Sequence, residues 1–197
     1  MALLDDAIDA SGGMARWNSL SRFTLHLSVA GTLFSSTGHA SEFKDVTAEG
    51  STRTQSVRFT GITGGEHSGS FQPDAITIES LEGEILRTWP NPSLAFTETG
   101  LPALADELHL VFFCGVAIWN YLTNPFLLAH PDVVVEELPP WQENNESWRR
   151  LRAQFAVIES NQGRKGRESS KRSSAFNALI KTSCATSSAS AALPKNR

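Results

Sequence analysis

Asp106 and His109 stand three residues apart, which places them on one face if the segment is helical. A carboxylate that orients an imidazole is how a general base is built, so this pair is the chain's candidate for acid–base chemistry. Three apart in the first turns of a helix is also where an ordinary surface acid–histidine pair sits. With no nucleophile nearby, that plainer reading is the stronger one. Asn120 falls on roughly the same face three turns further on, too far from His109 for direct contact. The other histidines, His26, His39, His67 and His130, fall on loops or on polar strand faces. No G-x-S-x-G, P-loop, C-x-x-C or H-E-x-x-H occurs. Cys114 lies in an apolar stretch and Cys184 in a polar tail, and the two form no metal spacing. Neither a cofactor nor a metal is implied.

The other chemistry on offer is apolar binding. Phe23, Leu25, Leu27 and Val29 alternate with Thr24, His26 and Ser28, the period of a half-buried antiparallel strand. All four apolar side chains therefore point one way. Residues 103–123 form the partner element. Pro102 and the Asp106-Glu107 pair suit a helix start, and Asn124-Pro125 ends it. Between them Leu110 to Trp119 is apolar on every face, which expects a helix buried all round. Its aromatic residues read first as core. If a curved sheet wraps this helix and leaves space along it, Phe23, Leu25, Leu27, Val29, Phe112 and Trp119 are the candidate ligand-binding residues.

The remaining elements are read from punctuation and alternation. Residues 3–10 and 13–19 suit a short helical pair broken at Gly12-Gly13. Short strands are expected at 31–36, 43–48, 55–60, 75–80 and 84–89, between glycine turns. A hairpin is expected from Val133–Leu138 and Trp148–Ile158, its loop running from Pro139 to Ser147, with Arg150 and Arg152 able to pair with Glu136. The fold class expected is α+β: a curved antiparallel sheet, an incomplete barrel, wrapped on one long apolar helix.

Size and charge bound the function. The chain of 197 residues has room for one sizeable core. Its net charge of −4 conceals a division at residue 159. Residues 1–158 carry nineteen acidic and nine basic side chains, net −10, and read as a single globular domain that repels nucleic acid. Residues 159–197 carry eight basic and two acidic side chains in a Ser/Ala-rich run expected to be disordered. The longest apolar stretch, Leu110 to Trp119, is well short of the ~20 residues a membrane span needs. The Met1-Ala2-Leu3-Leu4-Asp5-Asp6 start lacks the marks of a secretory signal, so the cytoplasm is the expected location. Oligomeric state is left open.

Ala10-Ser11-Gly12-Gly13-x-x-x-Trp17-x-x-Leu20 followed by His26-Leu27-Ser28-Val29-x-Gly31 resembles the start of a family of uncharacterised bacterial proteins. The resemblance continues through Phe71-x-Pro73-Asp74-x-Ile76-x-Ile78-Glu79 and Trp119-Asn120-Tyr121-Leu122-Thr123-x-Pro125-Phe126. It resumes at Pro140-Trp141-Gln142-Glu143 and Trp148-Arg149-x-Leu151. It implies no chemistry, because the family has none assigned. The small-Gly-Gly-x-x-x-aromatic start is in turn similar to carriers of the lipoprotein-sorting type, which hold acyl chains in an incomplete barrel closed over a helix. That likeness implies a lipid or apolar small-molecule ligand. Relatives continue after the Trp148 strand with aromatic-rich strands, where this chain has its Ser/Ala/Lys/Arg tail. Three readings follow: non-enzymatic binding of an apolar or lipid-like ligand, a small hydrolase- or isomerase-like enzyme using Asp106 and His109, or a truncated product with no function of its own.

Overall fold

A computed structural model describes residues 2–92 and 104–155. The fold is α+β. Helices α1 (Ala2–Ala10) and α2 (Met14–Ser19) flank the double glycine, where Gly12 and Gly13 have φ of 101° and 83°. Those left-handed values are open to glycine and strained for other residues. Strand β1 (Arg22–Leu27), helix α3 (Thr32–Ser36), and strands β2 (Val46–Ser51), β3 (Val57–Ile62), β4 (His67–Phe71), β5 (Ala75–Ser80) and β6 (Ile85–Pro90) follow. Helix α4 (Glu107–Thr123) and the hairpin β7 (Val133–Glu143) and β8 (Glu146–Phe155) complete the described chain.

Strands β1 to β6 form one antiparallel meander in sequence order, so among the described residues β1 and β6 are its edges and it is not a closed barrel. The register builds two apolar rows on the helix-facing side. One runs Phe23, Gly50, Val57, Phe71, Ile76, Trp89; the other runs Leu25, Ala48, Phe59, Gly69, Ile78, Arg87. The opposite face is polar, with Arg58 and Glu79 paired at 2.8 Å across the strand between them. Helix α4 packs across β3 to β6, most closely on β4.

Two glycines set that approach. A Cβ on Gly69 would lie 2.4 Å from Val111, and one on Gly115 would lie 2.4 Å from the Phe71 ring. The helix and the sheet therefore meet through a missing side chain on each. Leu110 and Val111 are fully buried, and Phe112 lies edge-on to Phe71. Polar residues break the apolar surface only at the two ends of the helix and at Asn120.

Several expected boundaries are corrected. The helix begins at Glu107 rather than 103, because Asp106 turns extended and its side chain accepts a hydrogen bond from the His109 amide as the N-cap. Residues 31–36 are not a strand: Gly31 has φ 138°, and the helical turn α3 follows it. The strands expected at 43–48 and 55–60 begin two or three residues later. Strand β4 had no counterpart in the sequence reading, since His67-Ser68-Gly69-Ser70-Phe71 lacks apolar alternation. The hairpin loop is only Asn144 and Asn145, both with positive φ as a two-residue turn requires; Pro139 and Pro140 lie within β7 at a register shift. The expected tail, 159–197, and the last residues of the expected final strand lie outside the described residues.

The hairpin forms its own two-stranded sheet and lies against α1. Leu4 and Ile8, one helical turn apart, are the buried residues of α1. Arg149 joins Asp6 at 2.8 Å and Glu137 at 2.9 Å. Arg152 pairs with Glu136 at 3.2 Å, while Arg150 donates to the Pro139 carbonyl and lies over the Trp141 ring. Trp17 stacks on Phe126 at 4.5 Å, tying α2 to the turn after α4.

Candidate functional site

The apolar candidates separate into two groups. Phe112 and Trp119 are core residues. Phe112 packs between the rings of Phe71 and Trp89, and the Trp119 indole N–H donates to the Ser51 and Thr54 carbonyls at 3.1 Å. Phe23, Leu25, Leu27 and Val29 all point inward, as their alternation expects, yet all are only half-buried. Their row neighbours Val46, Ala48, Val57 and Phe59 are essentially inaccessible. The difference follows from geometry. Strand β1 is three strand spacings from β4, about 14 Å, whereas a helix with its side chains reaches about 5–6 Å from its axis. Phe23 lies down across Gly50, where a Cβ would come within 2.3 Å of its ring. Phe34 of α3, itself buried in the core, meets Phe113 edge-on at 6.1 Å.

Polar candidates gather around the first turn of α4. His109 Nδ1 is 2.7 Å from Asp106 Oδ1, and Arg87, reaching in from edge strand β6, bonds the other oxygen. Trp89 lies 4.7 Å from the His109 ring. Burial pushes the Asp106 carboxyl up, but hydrogen bonds from His109 and Arg87 outweigh it and bring the group down to about 2. Glu107 accepts from Thr63 and stands 2.8 Å from His67 Nδ1. His39 completes the group: Nδ1 is 2.7 Å from Glu42 and Nε2 is 3.1 Å from the Leu104 carbonyl. Each of these three histidines is thus held by its own carboxylate. The spacing of Asp106 and His109, and of His39 and Glu42, is local enough to be seen in the sequence. The pairing of His67 with Glu107 spans forty residues and has no sequence signal.

Two further groups complete the inventory. Cys114 is buried, and burial pushes its thiol up to about 12, which removes it as a nucleophile. Asn120 is 2% exposed, and neither its Oδ1 nor its Nδ2 has a hydrogen-bond partner among the described residues. Among the described residues no three acids, histidines or cysteines converge to hold a metal ion. No helix among them is long and apolar enough to cross a membrane. Compared with known proteins, the chain matches no family model, no curated protein and no solved structure.

Proposed function

We propose that the protein binds an elongated apolar or lipid-like molecule along the inward face of β1, with the sheet curving over α4 as in an incomplete barrel. One observation carries the reading: Phe23, Leu25, Leu27 and Val29 continue the core face of the sheet beyond the helix and stay half-exposed. Native proteins rarely leave a contiguous apolar strip open without use. The likeness of the Gly12-Gly13 start to carriers of the lipoprotein-sorting type implies the same ligand class. In this reading Phe112 and Trp119 build the wall behind the strip. An amphiphilic fluorescent dye should bind the native protein saturably, and native mass spectrometry should find a co-purifying lipid. Leu27→Trp should displace the dye while leaving the far-ultraviolet spectrum intact. Dye uptake that never saturates and rises with aggregation would mean that exposed strand edges, not a site, take it up.

A second reading has its own observation. Asp106 bonds Nδ1 of His109, which leaves Nε2 as the basic nitrogen of a ring that lies 4.7 Å from that of Trp89. That is general-base geometry for a hydrolase- or isomerase-like reaction. Asp106 has complete structural employment as N-cap and partner of Arg87, so binding ranks first. Turnover of activated esters that disappears in His109→Gln would reverse the ranking.

A further inference from the structure

Both ring nitrogens of His39 face groups that can only accept. Nδ1 meets a Glu42 carboxylate oxygen and Nε2 meets the Leu104 carbonyl. A neutral imidazole carries one N–H and can serve only one of them. The other Glu42 oxygen, Oε2, is buried without a hydrogen-bond partner among the described residues, so this carboxylate depends on the cation beside it. We propose that His39 is a proton-operated latch: as the imidazolium it ties the α3 segment to the chain entering α4, and once neutral it releases Leu104.

The direction of release follows from bond strength. A single remaining N–H goes to the carboxylate, the stronger acceptor, and the bare Nε2 lone pair then faces the Leu104 carbonyl. Glu42 stays where it is, because its backbone carbonyl accepts from Thr63 N at 2.9 Å at the end of β3. On the α3 side, His39 N donates to the Phe34 carbonyl at 2.8 Å, and Phe34 rests on Phe113. The α3 segment thus has an apolar contact to α4 and a titratable one to the chain that enters it. Among the described residues, the charges facing His39 are Glu42 from its own turn and Asp106 from the cap of α4, with Arg87 of β6 held on Asp106. The hydrogen bond with Glu42 lifts the His39 pKa above its ordinary 6.5 against the opposing pull of burial, and the Leu104 carbonyl and Asp106 add to the rise. A group raised in the folded state stabilises fully below 6.5 and loses that contribution as pH rises through its folded value. Because α3 follows β1 through Val29 and Gly31, release also widens the strip on β1; this consequence rests on the proposed binding reading, and the latch does not.

Nitrogen-15 imidazole spectra and amide hydrogen exchange on the full chain test the latch without any ligand. At about pH 6.5, where a free imidazole is half-protonated, His39 should be mostly imidazolium with both nitrogens protonated. Exchange protection at the His39 amide, corrected for intrinsic rates, should fall about tenfold between roughly pH 6 and pH 8.5. In His39→Gln it should be low and flat with pH, while His130→Gln, whose imidazole sits on an exposed turn, should behave as wild type. A neutral His39 at that pH, or protection in the wild type that does not change with pH, overturns the proposal. If His39→Gln does not fold, the wild-type spectra and exchange decide alone. Dye affinity that ignores pH while the exchange responds would count against the binding reading and leave the latch standing.

Discussion

Asp106 concentrates several roles in one carboxylate: it caps α4 through the His109 amide, orients the His109 ring, and holds Arg87 of β6. Its pKa of about 2, below the ordinary 3.8, has a defined consequence. A depressed carboxylate contributes stability above the unfolded pKa, and that contribution is lost as pH falls from about 5 toward 2. Asparagine caps helices nearly as well as aspartate, so Asp106→Asn removes the charge and keeps the cap. It should cost about 1 kcal/mol at neutral pH, after allowance for solvent screening, and flatten the acid limb of the stability curve. Chemical denaturation at several pH values checks this. Asn120 offers the opposite case. A buried amide with neither group satisfied costs about 1–3 kcal/mol, so Asn120→Leu should raise stability and lift the melting temperature by several degrees. A fall in calorimetry would mean that the amide has a partner in solution.

Helix α4 and strand β4 form one interlocked element pair. Val111 seats on Gly69 and Phe71 seats on Gly115, so each element supplies both the projection and the gap. Gly69→Ala and Gly115→Ala should each cost about 1–3 kcal/mol by overpacking. Gly69→Ala combined with Val111→Ala should recover part of that loss, and the double-mutant cycle measures the coupling. Phe112→Ala and Trp119→Ala should be harsher, at about 3–5 kcal/mol, since each empties a filled core position. An unchanged melting temperature in Trp119→Ala would remove this helix from the core.

At the scale of the whole molecule, two apolar surfaces meet different fates. The rows of the main sheet run from the covered centre at β4 to the half-covered edge at β1, where the proposed ligand lies. The hairpin lies against α1, which buries Leu4 and Ile8 and is tied to it by the Asp6–Arg149–Glu137 ion pairs. Ile8→Asp should therefore undock the hairpin and spare the main sheet. Trypsin should then cut faster at Arg149, Arg150 and Arg152, while the amides of β2 to β5 stay protected from hydrogen exchange. Cooperative loss of both kinds of protection would mean that hairpin and sheet stand as one unit.

Local pattern was enough for what depends on local pattern. The α+β class, the helical pair around Gly12-Gly13, the inward set Phe23, Leu25, Leu27 and Val29, strand 75–80 and the Glu136–Arg152 pairing are all legible, because alternation, helical period and turn residues act over a few positions. The Asp106–His109 contact was legible for the same reason. Strand β4 was not. Its small residues look like a loop, and they are small because α4 must come within touching distance of them. The start of α4 depended on whether Asp106 would cap or join the helix, a choice decided by Arg87 arriving from β6 and by the His109 amide. The gathering of His39, His67 and His109 around that start rests on contacts as distant as that of His39 with Leu104, sixty-five positions apart. Hydrophobic period says which way a side chain faces, but only the packed chain decides which charged groups arrive at the same place.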